Sequence, residues 1–261
     1  MKNYTTIETI VNDRVCTIWL NRPDKHNSFN ETMLLELIDC FEHYDTDEIL
    51  CIVIRGRGKS FCSGVDLHWM KEVSANTYDQ NYQESLLLSE CFYSIYTCSK
   101  PTIALVHGVA LGGANGLLSA CDLVYCADDT VFSLSEVKIG IIPACISPYV
   151  IKRIGEFGAR ELMLTGQRFN GKEARAYKLV NKSVPVSELD EPLNETLSLL
   201  RTSGPKAMSQ AKNLIFEVCN VLSLDEAYDY SAKMIAEIRA SEEGQEGMNA
   251  FLEKRKPNWV K

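Results

Sequence analysis

Apolar and polar positions alternate through the first twenty residues, where Val15, Ile18 and Leu20 are apolar, and the pattern predicts two strands around a turn at Asn12–Asp13. After RPDKHNSFN the period changes. Met33, Leu34, Leu37, Ile38 and Phe41 recur at helical spacing, and Asn30 carries a side chain suited to the N-cap. Residues 49–55, ILCIVIR, are a continuous apolar run of the buried-strand kind that ends in the glycine-bearing GRGKSFCSG. A second long helical pattern covers roughly residues 77–97, and Pro101 restarts the chain as a strand, TIALVHG. Strand, glycine loop and helix then repeat through GVALGGANGLLSACDLVYCA, which predicts an α/β domain with a largely parallel sheet. From about residue 187 no strand pattern remains: Gly204–Pro205 opens a helix, and Leu224–Ile238 and Gly247–Leu252 read as further helices. One body with a helical tail, of the sort that packs as a lid or a subunit contact, is the simplest division.

Composition narrows the function classes. The 261 residues are 46% apolar and 24% charged, enough for a real core. No apolar run approaches the ~20 residues of a membrane-spanning helix; the longest, Ile139 to Ile151, holds Pro143 and Pro148. A net charge of −8 without a basic stripe argues against nucleic acid as a partner, so an anionic ligand would be met by a few placed cations and backbone N–H groups. The ten cysteines form no CxxC pair and no zinc-type spacing with histidine; lying in apolar runs such as ILCIVI, they read as core residues of a reducing compartment. With no secretory pattern in MKNYTTIETIVNDR, the expected location is the cytoplasm.

Two glycine-bearing turns carry candidate chemistry. Phe61-Cys62-Ser63-Gly64-Val65-Asp66 follows one strand, and Leu111-Gly112-Gly113-Ala114-Asn115-Gly116 follows another and opens a helix. Each can aim an unpaired backbone N–H outward, and two such groups converging on one oxygen make an oxyanion hole. Taken singly, each reads as a tight turn in which glycine supplies the permitted backbone angles. GGANG does not match GxGxxG, and no GxSxG elbow is present. Glu136, in the apolar VFSLSEVKIG, would suit proton transfer if buried; the bland alternative is an exposed pair with Lys138. His107 is a strand-end residue with an ordinary core reading, and His68 and Trp69 either line a pocket or cap a core edge.

The order of LNRPDKHNSFN, GRGKSFCSGVDL, KPTIALVHGVALGGANGLLSACDLVYCADDTVFSLSEVKIGIIP and LTGQRFNGKEARAYKLVNKSVP resembles the crotonase, or enoyl-CoA hydratase/isomerase, superfamily over essentially the whole chain. The resemblance implies a spiral of repeated ββα units, residues 1–200, for acyl-CoA binding and catalysis. It implies a helical region, 201–261, for assembly into homotrimers or hexamers. It assigns the oxyanion-hole N–H groups to Ser63 and Gly113, the acyl-CoA site to the backbone of Ser63, Gly64, Val65 and Asp66, and the nucleotide end of coenzyme A to Lys25. Glu136 matches the family's second catalytic glutamate, and His68 and Trp69 join the substrate-binding set. No separate cofactor and no metal are implied, because coenzyme A is part of the substrate.

One position departs from the pattern. Many hydratases of the family carry a first glutamate where this chain has Gly116. Single-glutamate members include Δ3,Δ2-enoyl-CoA isomerases. Yet FSLSEVKIGIIPACISPYVIKRIG and DLHWMK are similar to bacterial 3-methylglutaconyl-CoA hydratases of leucine breakdown, which often have glycine there, and the first stretch also resembles dehydratases making methylglutaconyl thioesters. A dienoyl-CoA isomerase would want an aspartate at Ala144. The expectation is hydration of a 2-enoyl-CoA, best a branched one, with isomerisation and a non-catalytic acyl-CoA binder as alternatives. For a distal carboxylate on the acyl group, Lys71, His68 and Arg153 are the candidate cations by position, each with a surface reading beside it.

Overall fold

The computed structural model describes residues 2–73 and 75–260. The chain opens as an antiparallel hairpin of β1 (Ile7–Asn12) and β2 (Val15–Leu20), with Asn12 opposite Val15. Its turn is Asp13–Arg14, one residue later than expected. Both residues have positive φ, 47° and 64°, the two-residue turn whose twist matches that of its strands.

Then follow α1 (Glu31–Tyr44), β3 (Cys51–Gly56), α2 (Leu67–Val73), α3 (Tyr78–Thr97), β4 (Thr102–Val106), β5 (Val109–Leu111) and α4 (Ala114–Ala120). Next come β6 (Leu123–Ala127), β7 (Val131–Ser133), α5 (Ser147–Thr165), β8 (Arg168–Phe169), α6 (Gly171–Ala176) and β9 (Lys182–Val184). The tail is helical: α7 (Asp190–Leu200), α8 (Pro205–Asn220), α9 (Leu224–Ala240) and α10 (Glu242–Leu252). Asn30 caps α1 by accepting the Met33 N–H, and Thr77 with Gln80 forms a capping box on α3.

The main sheet runs β1-β2-β3-β4-β6-β9, parallel except for the first pair. Successive residues of a strand face opposite sides, so β3 divides itself. Ile52 and Ile54 enter the large core with Phe41 and Leu37 of α1, Phe92 of α3 and Leu117 of α4. Cys51 and Val53 face the other layer, where Leu193 and Leu197 of α7 cover them. Eight of the ten cysteines are buried and all ten are free thiols.

A second, smaller layer positions the site. Three times the chain leaves the main sheet, runs a short extended segment in this layer, and turns into a helix. The segments are 62–65 after β3, β5 after β4, and β7 after β6. They lie side by side, because Cys62 bridges Ala110, β5 pairs parallel with β7, and Val65 bridges Phe29 on the outer flank. This is the repeated ββα spiral expected from the sequence. Among the described residues no helix is long and apolar enough to cross a membrane.

Candidate active site

The ends of the three second-layer segments meet. On one flank of segment 62–65, the Phe29 N–H donates to Gly64 O (2.8 Å) and the Asp66 N–H to Phe29 O (2.9 Å). In a parallel bridge of this kind the bonds run to the neighbours of the bridged residue, so Val65's own N–H faces away from Phe29. On the other flank, Cys62 exchanges two bonds with β5: its N–H donates to Val109 O (3.0 Å) and its O accepts from the Leu111 N–H (3.2 Å). Gly64, at φ 91°, lets the segments touch backbone to backbone. A Cβ there would lie 2.7 Å from Leu111 O and 3.9 Å from Gly113 N.

This pairing corrects one sequence expectation. Ser63 does not offer its N–H to a ligand, because that group donates to His26 O at 3.0 Å. The N–H groups of Val65 and Gly113 donate to nothing among the described residues, and both belong to the gap between the segments. The N–H groups left open to a ligand here are those of Val65 and Gly113, not that of Ser63. Ser63 contributes only a hydroxyl, 3.5 Å from Lys25 O.

Glu136 begins a short 3-10 turn three residues after β7 ends at Ser133. Its carboxyl lies over Gly112: Oε1 is 3.3 Å from where a Gly112 Cβ would stand. Gly112 holds φ at 53°, and any side chain there would push into the carboxyl. Oε2 is buried with no hydrogen-bond partner among the described residues. Burial raises the Glu136 pKa above its ordinary value, offset in part by the residue's own backbone N–H. Lys138 does not pair with it in any ion pair among the described residues. An under-solvated carboxyl beside a free N–H pair is suited to moving a proton next to a developing enolate.

Gly116 faces Ile146 and Phe92. A Cβ at this glycine would stand 2.3 Å from Ile146 Cγ2 and 2.9 Å from Phe92 Cε2, so an apolar wall fills the place where a second carboxylate would begin. Ile146 and Phe92 are buried, and nothing in the sequence marks them as neighbours of this loop. Ala144 is exposed.

The remaining expected residues divide. The Asp66 carboxylate is a strut: it accepts from Arg22 Nη2 (2.7 Å) and from the His68 N–H (2.8 Å), and these bonds hold its pKa below the ordinary value against the opposing effect of burial. Lys25 sits in a loop folded around buried Asn27, whose amide donates to Arg57 O and Ser60 O, each at 2.8 Å, and its own side chain is exposed. Trp69 packs against the main core and also walls a groove of about 670 Å³ with Glu31, Leu35, Asp79, Glu84 and Leu87. His68 and Lys71 are exposed on one face of α2. Arg153 is neither a pocket cation nor a surface residue. Its guanidinium donates to Ser119 O (3.1 Å), Leu179 O (3.2 Å), Asp122 O (3.0 Å) and Cys121 O, tying the end of α4 to the 179–181 loop. His107 Nε2 donates to Gly58 O (3.0 Å), a structural contact.

A family model described as enoyl-CoA hydratase/isomerase matches residues 11–261. A hydroxycinnamoyl-CoA hydratase-lyase of Pseudomonas fluorescens is 32% identical over 96% of this chain and 93% of its own. A peroxisomal Delta(3,5)-Delta(2,4)-dienoyl-CoA isomerase of Arabidopsis thaliana is 30% identical over 100% and 99%. The crystal structure of an enoyl-CoA hydratase from Shewanella pealeana superposes with a TM-score of 0.93 at 36% identity, covering 98% of this chain and 96% of that one.

Proposed function

The chain belongs to the enoyl-CoA hydratase/isomerase family, and from that premise we propose that it adds water reversibly across the 2,3 double bond of a 2-enoyl-CoA, best a branched one such as 3-methylglutaconyl-CoA. The observation that carries the reading is the desolvated Glu136 carboxyl held over Gly112, one residue from the Gly113 donor. The thioester oxygen would sit between the Val65 and Gly113 N–H groups, which withdraw charge and make carbon 3 electrophilic. Glu136 takes a proton from water as the oxygen bonds to carbon 3. The electron pair of the double bond moves onto the thioester as an enolate, and Glu136 returns the proton to carbon 2. Coenzyme A enters as part of the substrate, and no further cofactor is required. Among the candidate cations for a distal carboxylate on the acyl group, Arg153 is engaged inside the fold, whereas His68 and Lys71 are exposed on α2.

A second reading, Δ3,Δ2 isomerisation, is favoured by the wall at Gly116, because one carboxylate is enough to carry one proton between two carbons. Water labelled with heavy oxygen decides between them. With 3-methylglutaconyl-CoA, loss of the conjugated-thioester absorbance together with one labelled oxygen in the product is expected, much faster than with crotonyl-CoA. Double-bond migration in a 3-enoyl-CoA with no label incorporated would replace hydration by isomerisation.

For assembly we propose a homotrimer, or a pair of trimers, formed through residues 201–261. Ile215, Leu224, Tyr228, Phe251 and Leu252 in this region are exposed apolar residues that support such a contact. Light scattering is expected to give a mass in multiples of three chains; a monomer across the micromolar range would remove the proposal. The buried free thiols support a reducing, cytoplasmic setting.

A further inference from the structure

Asn115 is the second residue of α4 and is fully buried. Asparagine is a poor choice for a buried helical position, because its amide competes for backbone partners. Here that competition is put to use. Nδ2 lies 3.0 Å from Gly112 O, 2.9 Å from Ser133 O and 3.4 Å from Ala110 O. Only this orientation of the amide is compatible with three carbonyl oxygens on one side. The opposite atom, Oδ1, is buried without a partner among the described residues. A buried acceptor left unpaired is a cost, and its retention calls for a reason outside local stability.

The reason lies in the peptide that Nδ2 grips. Gly112 O also accepts the Asn115 backbone N–H at 2.9 Å, so two bonds from one residue fix the direction of that carbonyl. In a trans peptide the C=O of Gly112 and the N–H of Gly113 point in opposite directions from one rigid plane. Holding the carbonyl therefore aims the donor. The same Nδ2 also holds Ser133 O, which takes the Gly112 N–H at 2.9 Å as well, and the chain reaches Glu136 three residues later. One side-chain nitrogen thus joins the plane that carries the Gly113 donor to the segment that carries the carboxyl.

We infer that Asn115 is a positioning residue that sets the aim of the Gly113 N–H and its registration with Glu136, so that the thioester is polarised where the proton is moved. The inference rests on the acyl-thioester reading of the site. It explains the unpaired Oδ1: three carbonyls on one side of the amide need a nitrogen with two hydrogens, and the acceptor comes attached to it. Aspartate would face those carbonyls with acceptors, and serine has one donor hydrogen.

The test uses the full-length protein, with Asn115→Ala, Asn115→Ser and, as a control, Glu136→Gln. Each is titrated with 2,4-hexadienoyl-CoA, whose conjugated thioester absorbs further to the red when its carbonyl is polarised. Wild type and Glu136→Gln are expected to show the red shift in full. Asn115→Ala is expected to show less than half of it, with Kd and KM within about threefold of wild type and kcat lower on the order of 30-fold, short of the effect of deleting an oxyanion donor outright. Asn115→Ser, with one hydrogen able to reach back to Gly112 O, should fall between. A full red shift in Asn115→Ala would overturn the inference. So would variants that lose binding and melting temperature together, which is the mark of a residue that only holds the fold. No red shift in wild type would overturn the thioester reading itself, and this inference with it.

Discussion

Glu136→Gln is expected to lower kcat on the order of a thousandfold while Kd for the acyl-CoA stays within about threefold. Removing a positioned acid–base group typically costs 10²–10⁴ in rate. The upper half of that range is expected here because the Gly116 position offers no second carboxylate: the place of its Cβ is walled by Ile146 and Phe92. Glutamine keeps the length and the contact over Gly112, and the Val65 and Gly113 donors are backbone groups that the substitution leaves in place. Binding and carbonyl polarisation should therefore survive when proton transfer does not. Steady-state kinetics alongside a calorimetric titration check this, and a variant that kept most of its rate would remove Glu136 from the chemistry.

The raised pKa adds two signed consequences. The ionised form is the base, so the acid limb of the kcat/KM profile should lie above the ordinary value of 4.5. A carboxyl whose pKa is higher in the folded state favours folding when protonated. That contribution is complete below the unfolded pKa and is lost as pH rises through the folded one. At pH 7 the buried, half-partnered carboxylate thus works against the fold. Glu136→Gln should melt at a higher temperature than wild type at pH 7, and the difference should shrink toward pH 4. A difference that grew on acidification would contradict the burial of this group.

Much of the frame was legible because its signals are local. ILCIVI is apolar on both faces and became a strand covered on both sides, and the helical pattern over roughly residues 77–97 became α3, Tyr78–Thr97. Glu136 stood out as a carboxylate in an apolar stretch. What escaped depends on pairing between distant segments. Whether Ser63 or Val65 offers the free N–H is decided by Phe29 and His26, more than thirty residues upstream in the chain, which take up one side of the 62–65 segment. Arg153 looked like a surface cation until the carbonyls of residues 119–122 and 179 closed around it. Asn115 was hidden inside a glycine motif whose glycines account for the turn without it. In each case one partner at least is a backbone group, and backbone groups carry no residue code.

Gly116→Glu, the substitution that would restore a second glutamate by sequence, is expected to cripple the fold rather than raise hydration. The first atom of the new side chain would stand 2.3 Å from Ile146 Cγ2 and 2.9 Å from Ile146 Cβ and Phe92 Cε2, distances that no real Cβ tolerates. Overpacking a tight core costs about 1–3 kcal/mol, and burying a carboxylate among apolar groups adds more or forces it to stay protonated. A combined loss of about 4 kcal/mol corresponds to a drop of roughly 10 °C in melting temperature for a chain of this size. Pairing the change with Ile146→Ala separates space from charge. Alone, Ile146→Ala should destabilise by ~2–5 kcal/mol through its cavity, yet in the pair the cavity receives the new side chain, so the two losses should fall well short of additive. If the double variant also hydrates crotonyl-CoA faster than wild type, the single-carboxylate chemistry is written in Gly116, Ile146 and Phe92 together. A Gly116→Glu protein as stable as wild type would mean that the wall yields freely, and that the missing glutamate is a single substitution rather than a repacked site.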